Sequence, residues 1–154
     1  MLNFEYVLSY AELEDIESWM KMVEVVKDNF PGLKTEEDTN GYREIVIRNI
    51  KRKTALCVKK NSETVGILIF SYNAQCLSCM AVHPEYRKNG IASAMVEKML
   101  DLLPENIEIS VSTFRENDNF GDAPRALYKK YGFEEGELTV EFGYPHQKFV
   151  LKKI

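Results

Sequence analysis

The sequence contains no long hydrophobic run. A membrane-spanning helix needs roughly 18 or more consecutive apolar residues, and no segment of the 154 residues comes near that length. Residues 1–5 (MLNFE) also lack the basic start and the apolar core of a secretory signal. We therefore expect a cytoplasmic protein that does not bind a membrane.

Cysteine is rare, with three copies in the chain. Cys76 and Cys79 have the spacing of a redox motif or of half a zinc site. However, no second cysteine pair completes a set of four zinc ligands, and residues three apart on a strand face opposite sides of a sheet. We therefore predict no metal site, and thiols that pack as small hydrophobic side chains.

Histidine is rarer still, and His83 and His146 are the two copies. Neither has a serine, a cysteine or an acidic residue at a recognisable triad spacing, so we expect both side chains to lie exposed in loops. The sequence thus offers no candidate for covalent catalysis, which needs a nucleophile beside a base.

The chain has little net charge. Its formal charge of −4 counts against nucleic acid as a partner and mildly favours cationic ligands. The basic residues at 51–53 and 59–60 flank a predicted strand without interleaved aromatic residues, which indicates a solvated strand end. The length and the hydrophobic fraction of 45% fit one soluble globular domain over residues 1–154.

The most informative stretch is residues 80–95 (MAVHPEYRKNGIASAM). An apolar strand ends at Pro84, a short basic turn follows, and apolar residues recur at helical spacing from about Gly90 onwards. The first N–H groups of a helix have no internal acceptor and carry the positive end of the helix dipole, so this junction can bind an anion. Gly90 and Ala92 would let a phosphate approach the backbone closely. A tight turn without a ligand is the alternative.

Hydrophobic periodicity predicts about seven strands and about four helices. Three strands over residues 54–82 are joined by short turns and form an antiparallel meander. The strand at 107–111 is reached through a helical crossover, so it should lie parallel to the strand at 76–82. The expected fold class is α/β (α+β), with a mixed, mainly antiparallel sheet.

Capping residues predict where the helices begin. Ser9, with Glu12 three residues later, has the pattern of a capping box for the first helix. Thr35 is the predicted N-cap of the second helix, and Asp122 is that of the last one.

Two motifs give the sequence a family resemblance. Arg87-x-x-Gly90-x-Ala92 matches the Arg/Gln-x-x-Gly-x-Gly/Ala signature of the GNAT superfamily, the acyl-CoA-dependent N-acyltransferases. Residues 126–133 (ALYKKYGF) are similar to the Leu-Tyr-x-Lys-x-Gly-Phe segment that closes the family's last helix. The two motifs occur in the family's order, about 40 residues apart, and the resemblance extends over residues 4–151.

The resemblance implies a GNAT-like N-acetyltransferase domain that binds acetyl-CoA as the acyl donor. The implied cofactor-binding residues are Met80, Ala81, Val82, Arg87, Lys88, Asn89, Gly90, Ile91, Ala92 and Ser93. In the family an amine attacks the thioester directly in a ternary complex, and a strand N–H near Met80 or Val82 polarises the carbonyl.

The same resemblance implies that Tyr128 is the catalytic proton donor to the leaving thiolate. A thiol with a pKa near ~8.5 and a phenol with a pKa near ~10 differ by about 1.5 units, which makes full transfer uphill by roughly 2 kcal/mol. We therefore expect Tyr128 to act mainly as a hydrogen-bond donor. Packing at the end of an amphipathic helix is the alternative for this residue.

The acceptor site is implied by the resemblance as well. In the family, the first two helices and the loop between them line the acceptor pocket, which makes Phe30, Leu33 and Tyr42 candidate substrate-binding residues, with Trp19 beside them. Plain packing is the alternative for each. The expected acceptor is a primary amine of a small molecule or a peptide, and the sequence is compatible with a homodimer.

The sequence departs from the family pattern at two places. Gly121 occupies the spacing of the family's usual asparagine before the last helix, which puts that cofactor contact in doubt. Gln75 or Cys76 stands where some members carry a glutamate base, and Glu141 or a chain of waters is left as a substitute.

Three functions compete at this stage: an acyl-CoA-dependent N-acetyltransferase, a catalytically silent acyl-CoA-binding regulatory module, and a nucleic-acid-binding domain. The presence of Tyr128 favours the first over the second. The acidic balance of the chain counts against the third.

Overall fold

The computed structural model describes residues 2–153. Its strands are β1 (Tyr6–Tyr10), β2 (Ala55–Lys60), β3 (Glu63–Ser71), β4 (Cys76–Val82), β5 (Ile107–Phe114), β6 (Glu134–Glu141) and β7 (Tyr144–Lys153). Its α-helices are α1 (Ile16–Val26), α2 (Glu36–Arg52), α3 (Ile91–Leu102) and α4 (Asp122–Lys130). In this part of the chain, no helix is long and apolar enough to cross a membrane.

The strands form one seven-stranded sheet in the order β1-β2-β3-β4-β5-β7-β6. β1 with β2, β2 with β3, β5 with β7, and β6 with β7 are antiparallel pairs. β4 and β5 pair in parallel, with Cys76 opposite Ser110 and Leu77 opposite Val111, because the α3 crossover separates them. The predicted fold class and the parallel central pair are thus confirmed.

The chain divides into two compact units. The first comprises residues 2–70 and 79–102, and the second comprises residues 71–78 and 103–153.

The core of the first unit is a cluster of apolar side chains from α1, α2, β2 and β3. α1 contributes Trp19, which is fully buried, together with Met22 and Val23. β2 over residues 55–58 and β3 over residues 64–70 are largely apolar runs, and every residue in these two stretches is buried. Such runs are typical of strands that are covered on both faces.

α3 packs closely on β3 within the first unit. Ile91, Met95 and Met99 are buried on its inner face. A Cβ atom placed on Gly66 of β3 would lie 2.6 Å from Cγ2 of Ile91, which is well inside van der Waals contact. The first residue of α3 therefore rests on a strand position that has room only for glycine.

The capping predictions have mixed outcomes. Thr35 caps α2 as predicted, and its hydroxyl accepts a hydrogen bond from the Asp38 N–H at 3.0 Å. The Ser9 prediction is wrong, because Ser9 pairs with Cys57 inside β1 and the chain stays extended. The capping box belongs instead to Glu12 and Asp15, at the start of a short 3-10 helix that leads into α1.

The second unit contains β5, β6, β7 and α4, with Phe149, Ile109 and Phe133 buried among them. Asp122 is the first residue of α4 rather than its N-cap, which is Gly121. The prediction for Asp122 is therefore wrong by one residue. Asp118 caps the preceding 3-10 turn by accepting a hydrogen bond from the Phe120 N–H at 3.0 Å.

His146 is not an exposed loop residue, so that prediction is wrong. It lies in β7 opposite Phe114 and Thr139 and is 8% exposed. Its ring stacks on Phe114, and its Nδ1 atom lies 2.8 Å from the Tyr144 carbonyl oxygen. β7 includes polar residues such as His146 and Gln147, because both neighbouring strands pair with it there.

Candidate functional site

The chain leaves β4 at a fixed point. The His83 N–H donates to the Val65 carbonyl of β3 at 2.8 Å, and the His83 ring accepts a hydrogen bond from the Glu85 N–H at 3.1 Å. His83 therefore lies in a loop, as predicted, but it is half-buried. A 3-10 turn over Pro84–Tyr86 follows directly, so the segment that leads into α3 begins from a position held by the sheet.

The next four residues form an exposed turn with unusual backbone angles. φ is +66° at Lys88 and +79° at Gly90. The Asn89 side-chain amide closes the turn by donating to the Tyr86 and Arg87 carbonyls at 2.9 and 3.2 Å. Turns that contain left-handed residues can expose backbone N–H groups to an anion.

α3 adds its N-terminus to this turn. The first helical hydrogen bond runs from the Ala94 N–H to the Gly90 carbonyl at 3.0 Å, so the N–H groups of Ile91 and Ala92 have no acceptor within the helix. No acidic residue lies in the first turn of α3, which leaves the positive end of the helix dipole uncompensated there. The exposed turn and the start of α3 together favour the binding of a polyphosphate group.

β4 leads into the turn through Met80, Ala81 and Val82, all of them half-buried. Cys79 and Ala81 pack against the core of α1 and α2. Because side chains alternate along a strand, Met80 and Val82 face the opposite side of the sheet. The strand, the turn and the helix start thus bring all ten predicted cofactor-binding residues into one continuous segment of the first unit.

Tyr42 forms a hydrogen-bonded group with two other side chains of the first unit. The Trp19 indole N–H donates to the Tyr42 hydroxyl at 3.1 Å, and that hydroxyl lies 3.4 Å from Sγ of Cys79. Burial raises the pKa of Tyr42 well above 10.0 and the pKa of the Cys79 thiol to about 11. Both groups therefore carry a proton at neutral pH.

The other two acceptor-site candidates pack on the same core as Tyr42. Phe30 and Leu33, from the loop between α1 and α2, contact the apolar cluster of the first unit. Leu33 also lies on the wall of an open pocket of about 200 Å³, which is lined by Glu24, Lys27, Leu33, Lys34, Thr35, Glu36 and Thr39. Neither Phe30 nor Tyr42 lines that pocket.

Tyr128 lies in the second unit, on the inner face of α4, and is 4% exposed. Its ring centroid is 5.7 Å from that of Phe133 and 6.2 Å from that of Phe149. Its carbonyl accepts from the N–H groups of Tyr131 and Phe133 at 3.1 and 3.0 Å, where the helix ends. The ring and the backbone of Tyr128 are therefore held firmly in this unit.

Arg125 is a residue that sequence reasoning missed. It lies in α4 three residues before Tyr128 and is 5% exposed. Its guanidinium donates hydrogen bonds to groups of the second unit. The i, i+3 spacing to Tyr128 places both residues on one face of the helix, and this spacing was the available signal that Arg125 faces the core. The signal is weak because arginine is rarely buried.

The residues considered as a general base make contacts with three different partners. Glu141 of β6 accepts a hydrogen bond from the Thr139 hydroxyl at 3.2 Å. Gln75 accepts the Ser110 N–H through its backbone carbonyl at 3.0 Å, and the Cys76 thiol lies 3.6 Å from the Ser78 hydroxyl. Among residues 2–153, no group of three or more His, Cys, Asp or Glu side chains could hold a metal ion.

Comparisons with known proteins agree with this geometry. The family model of the acetyltransferase (GNAT) domain matches residues 51–135, which is more than half of the chain. No curated protein matches the sequence.

Solved structures have the same fold. A GNAT-family acetyltransferase from Bacillus cereus ATCC 10987 is 23% identical and has a TM-score of 0.75, and the match covers 97% of this chain and 98% of that one. The PaiA N-acetyltransferase from Thermoplasma acidophilum, solved with coenzyme A, is 18% identical with a TM-score of 0.70 and coverages of 96% and 98%. The Microcin C7 self-immunity acetyltransferase MccE, solved with acetyl-CoA and AMP, is 14% identical with a TM-score of 0.68 and coverages of 97% and 93%.

The family match runs from the end of α2 into β6 and includes the β4, turn and α3 segment as well as α4. Because it covers more than half of the sequence and coincides with the motif-bearing elements, this chain belongs to the GNAT acetyltransferase family.

Proposed function

We propose that this protein transfers an acetyl group from acetyl-CoA to a primary amine by direct attack in a ternary complex. The observation that carries the proposal is the exposed turn at residues 87–90, which runs into the N-terminus of α3, where the first turn holds no acidic residue. A backbone site of this kind suits the pyrophosphate of CoA. The family match and the solved relatives with bound CoA or acetyl-CoA support the same donor.

In this proposal, the backbone carries most of the donor binding. The N–H groups of residues 87–93 hold the pyrophosphate, and the exposed side chains of Arg87 and Lys88 add positive charge at its edge. Met80, Ala81 and Val82 bind the pantetheine end, where a strand N–H donates a hydrogen bond to the thioester oxygen as negative charge develops on that oxygen. Such a donor contributes most when that charge appears.

The chemical step is a single displacement at the thioester carbonyl carbon. A neutral amine forms the new C–N bond, the C–S bond breaks, and CoA leaves as a thiolate. Tyr128 donates a hydrogen bond to that thiolate, while the proton lost by the amine passes to solvent. An intermediate bonded to the protein is not needed, which agrees with the lack of an activated nucleophile in the sequence.

The protonation state of the amine sets a further requirement. An amine with a pKa of ~10.4 is neutral only about once in 10³ at pH 7, whereas an α-amine with a pKa of ~8 is neutral roughly a tenth of the time. Phe30, Leu33 and Tyr42 are the proposed acceptor-side residues. A cytoplasmic location and a homodimer stay predictions of the sequence.

Release of free thiol from acetyl-CoA, measured across a panel of small-molecule and peptide amines, tests this function. The panel contains both α-amines and lysine-type amines, and the expected result is saturable release with at least one of them. Gly90→Val serves as the matched control, because a side chain is strained at φ +79°. CoA binding by calorimetry without turnover for any amine would instead support a silent acyl-CoA-binding module.

A further inference from the structure

Arg125 makes three charge-assisted hydrogen bonds in the second unit. Nη1 donates to the Phe114 carbonyl at the end of β5 at 3.0 Å and to Oε1 of Gln147 in β7 at 2.7 Å. Nη2 donates to Oε1 of Glu135 in β6 at 2.7 Å. One side chain of α4 therefore ties the helix to three different strands.

The guanidinium also lies over an aromatic ring that Tyr128 contacts. Cζ of Arg125 is 4.8 Å from the centroid of Phe149, a fully buried ring. The Tyr128 ring is 6.2 Å from the same centroid. Arg125 and Tyr128 are one helical turn apart and share this neighbour. A shift of the guanidinium would therefore move the Tyr128 phenol, both through the helix backbone and through contact with the Phe149 ring.

The chain is shaped to accommodate this arginine. A Cβ atom at Gly121 would lie 3.2 Å from Cδ of Arg125 and 3.1 Å from Cβ of Phe114. A side chain at this position would have to displace these neighbours by a few tenths of an ångström. Gly121, which departs from the family pattern, and the buried Arg125 therefore belong to one local arrangement.

We propose that Arg125 is a positioning residue that fixes the orientation of the Tyr128 phenol during acetyl transfer. The inference rests on the proposed function, in which Tyr128 meets the leaving thiolate. A hydrogen-bond donor to a transition state must be held in a narrow range of positions. A planar guanidinium with three bonds to three strands restricts α4 more than one contact would.

Stability alone does not account for this residue. The Arg125 side chain is 7% exposed whereas that of its ion-pair partner Glu135 is 40% exposed. Burying the charge of Arg125 carries a desolvation penalty, and an apolar side chain of similar volume can be as stabilising. Glu135 keeps a second partner without Arg125, since Nζ of Lys129 lies 2.8 Å from the same carboxylate oxygen. The feature that only the arginine supplies is a set of hydrogen bonds in fixed directions. Its replacement should therefore lower kcat.

A double-mutant cycle separates positioning from general stability. Arg125→Met and Arg125→Lys are made with either Tyr128 or Tyr128→Phe, and kcat, the KM for acetyl-CoA and the melting temperature are measured for each. Arg125→Met should lower kcat roughly 10-fold with Tyr128 present, because small misplacements of a reacting group have effects of this size or larger. With Tyr128→Phe, the same change should lower kcat by less than about twofold.

The other variants sharpen the cycle. Arg125→Lys keeps the charge but loses the forked geometry, so its kcat should lie between those of wild type and Arg125→Met. Lys129→Met is the matched control, because it removes the other cation paired with Glu135 on an exposed side chain. Its kcat should stay within about twofold of wild type. The KM for acetyl-CoA should stay nearly constant throughout the series.

The possible failures can be told apart. An equal loss of kcat on Arg125→Met in both backgrounds would mean that Arg125 acts independently of Tyr128, and it would overturn the positioning role alone. A wild-type kcat for Tyr128→Phe would overturn the role of Tyr128 and the positioning role together. If Arg125→Met does not fold, the cycle with Arg125→Lys gives the same decision.

Discussion

Gly66→Ala is the substitution that tests the packing beneath the proposed CoA site most directly. It adds one methyl group to β3 at the point where α3 begins. The new Cβ would lie 2.6 Å from Cγ2 of Ile91, and 3.3 Å from Cε of Met95. The Met95 methyl is the end of a flexible chain and can move, but Cγ2 of Ile91 moves only with the helix backbone or by a change of χ1, which a helix strongly restricts for a β-branched residue.

The expected loss of stability follows from two opposing effects. Overpacking of a dense core costs about 1–3 kcal/mol. Replacing glycine by alanine reduces the entropy of the unfolded chain and offsets about 0.4–1 kcal/mol of that cost. We therefore expect Gly66→Ala to lower the unfolding free energy by about 1–2 kcal/mol, or the melting temperature by roughly 2–4 °C for each kcal/mol.

Thermal and urea unfolding measure this effect, and Gly41→Ala provides the control. Gly41 is exposed within α2, and a Cβ there would have no atom within 4 Å. Alanine at that site should raise the unfolding free energy by about 0.5–1 kcal/mol through helix propensity alone. The same chemical change should therefore have opposite signs at two glycines of one chain.

Calorimetry with CoA adds a functional readout. Because Ile91 is the first residue of α3, a helix pushed away from β3 should bind CoA more weakly in Gly66→Ala, whereas Gly41→Ala should bind it as wild type does. A Gly66→Ala protein as stable as Gly41→Ala would refute the close packing of α3 on β3. A destabilised protein with unchanged CoA affinity would refute the link between this contact and the proposed site.

Three further predictions concern the CoA-binding turn, Tyr128 and two cysteines of the first unit. In calorimetry, Gly90→Val should abolish CoA binding, whereas Lys88→Ala should weaken it modestly, because the backbone rather than one cation meets the pyrophosphate. Tyr128→Phe should lower kcat on the order of 10²-fold in a thiol-release assay with a nearly unchanged Kd for acetyl-CoA, since its hydrogen bond belongs to the transition state. Burial raises the pKa of Cys57 and of Cys79 from 9.0 to about 11, so the thiolate fraction of each at pH 8 is only about 10⁻³. Both should react slowly with a disulfide reagent in the folded protein and rapidly in urea. Because the unfolded thiols lose their protons at a lower pH than the folded ones, the unfolding free energy should fall as the pH rises from about 9 to about 11.

Each of these has a contrary outcome. A larger loss of CoA affinity in Lys88→Ala than in Gly90→Val would show that side-chain charge dominates binding. Equal turnover of Tyr128→Phe at saturating substrates, with chemistry limiting the rate, would remove the phenol from the mechanism. Fast modification of all three cysteines in the folded protein at pH 8 would contradict the burial of Cys57 and Cys79.

Local signals in the sequence were sufficient where neighbouring residues determine the structure. Thr35 caps α2 because its hydroxyl meets an N–H three residues later. The strand at 76–82 ends before Pro84, as the apolar pattern predicts, and α3 begins at Ile91, one residue after the predicted start at Gly90. The predictions for Ser9 and His146 failed because distant strands pair with these residues, and a capping pattern or a polar run carries no record of such pairing.

The sequence by itself determined the order of the elements, the parallel crossover from β4 to β5, and the two motifs that identify the family. Those features depend on short spacings, on the right-handed crossover rule and on hydrophobic periodicity. The tertiary structure decided which glycine lies beneath Ile91, which thiol meets Tyr42, and where the guanidinium of Arg125 is bonded. Each of these is a contact between residues far apart in the chain, and its geometry is set by how helices and strands pack rather than by any local pattern.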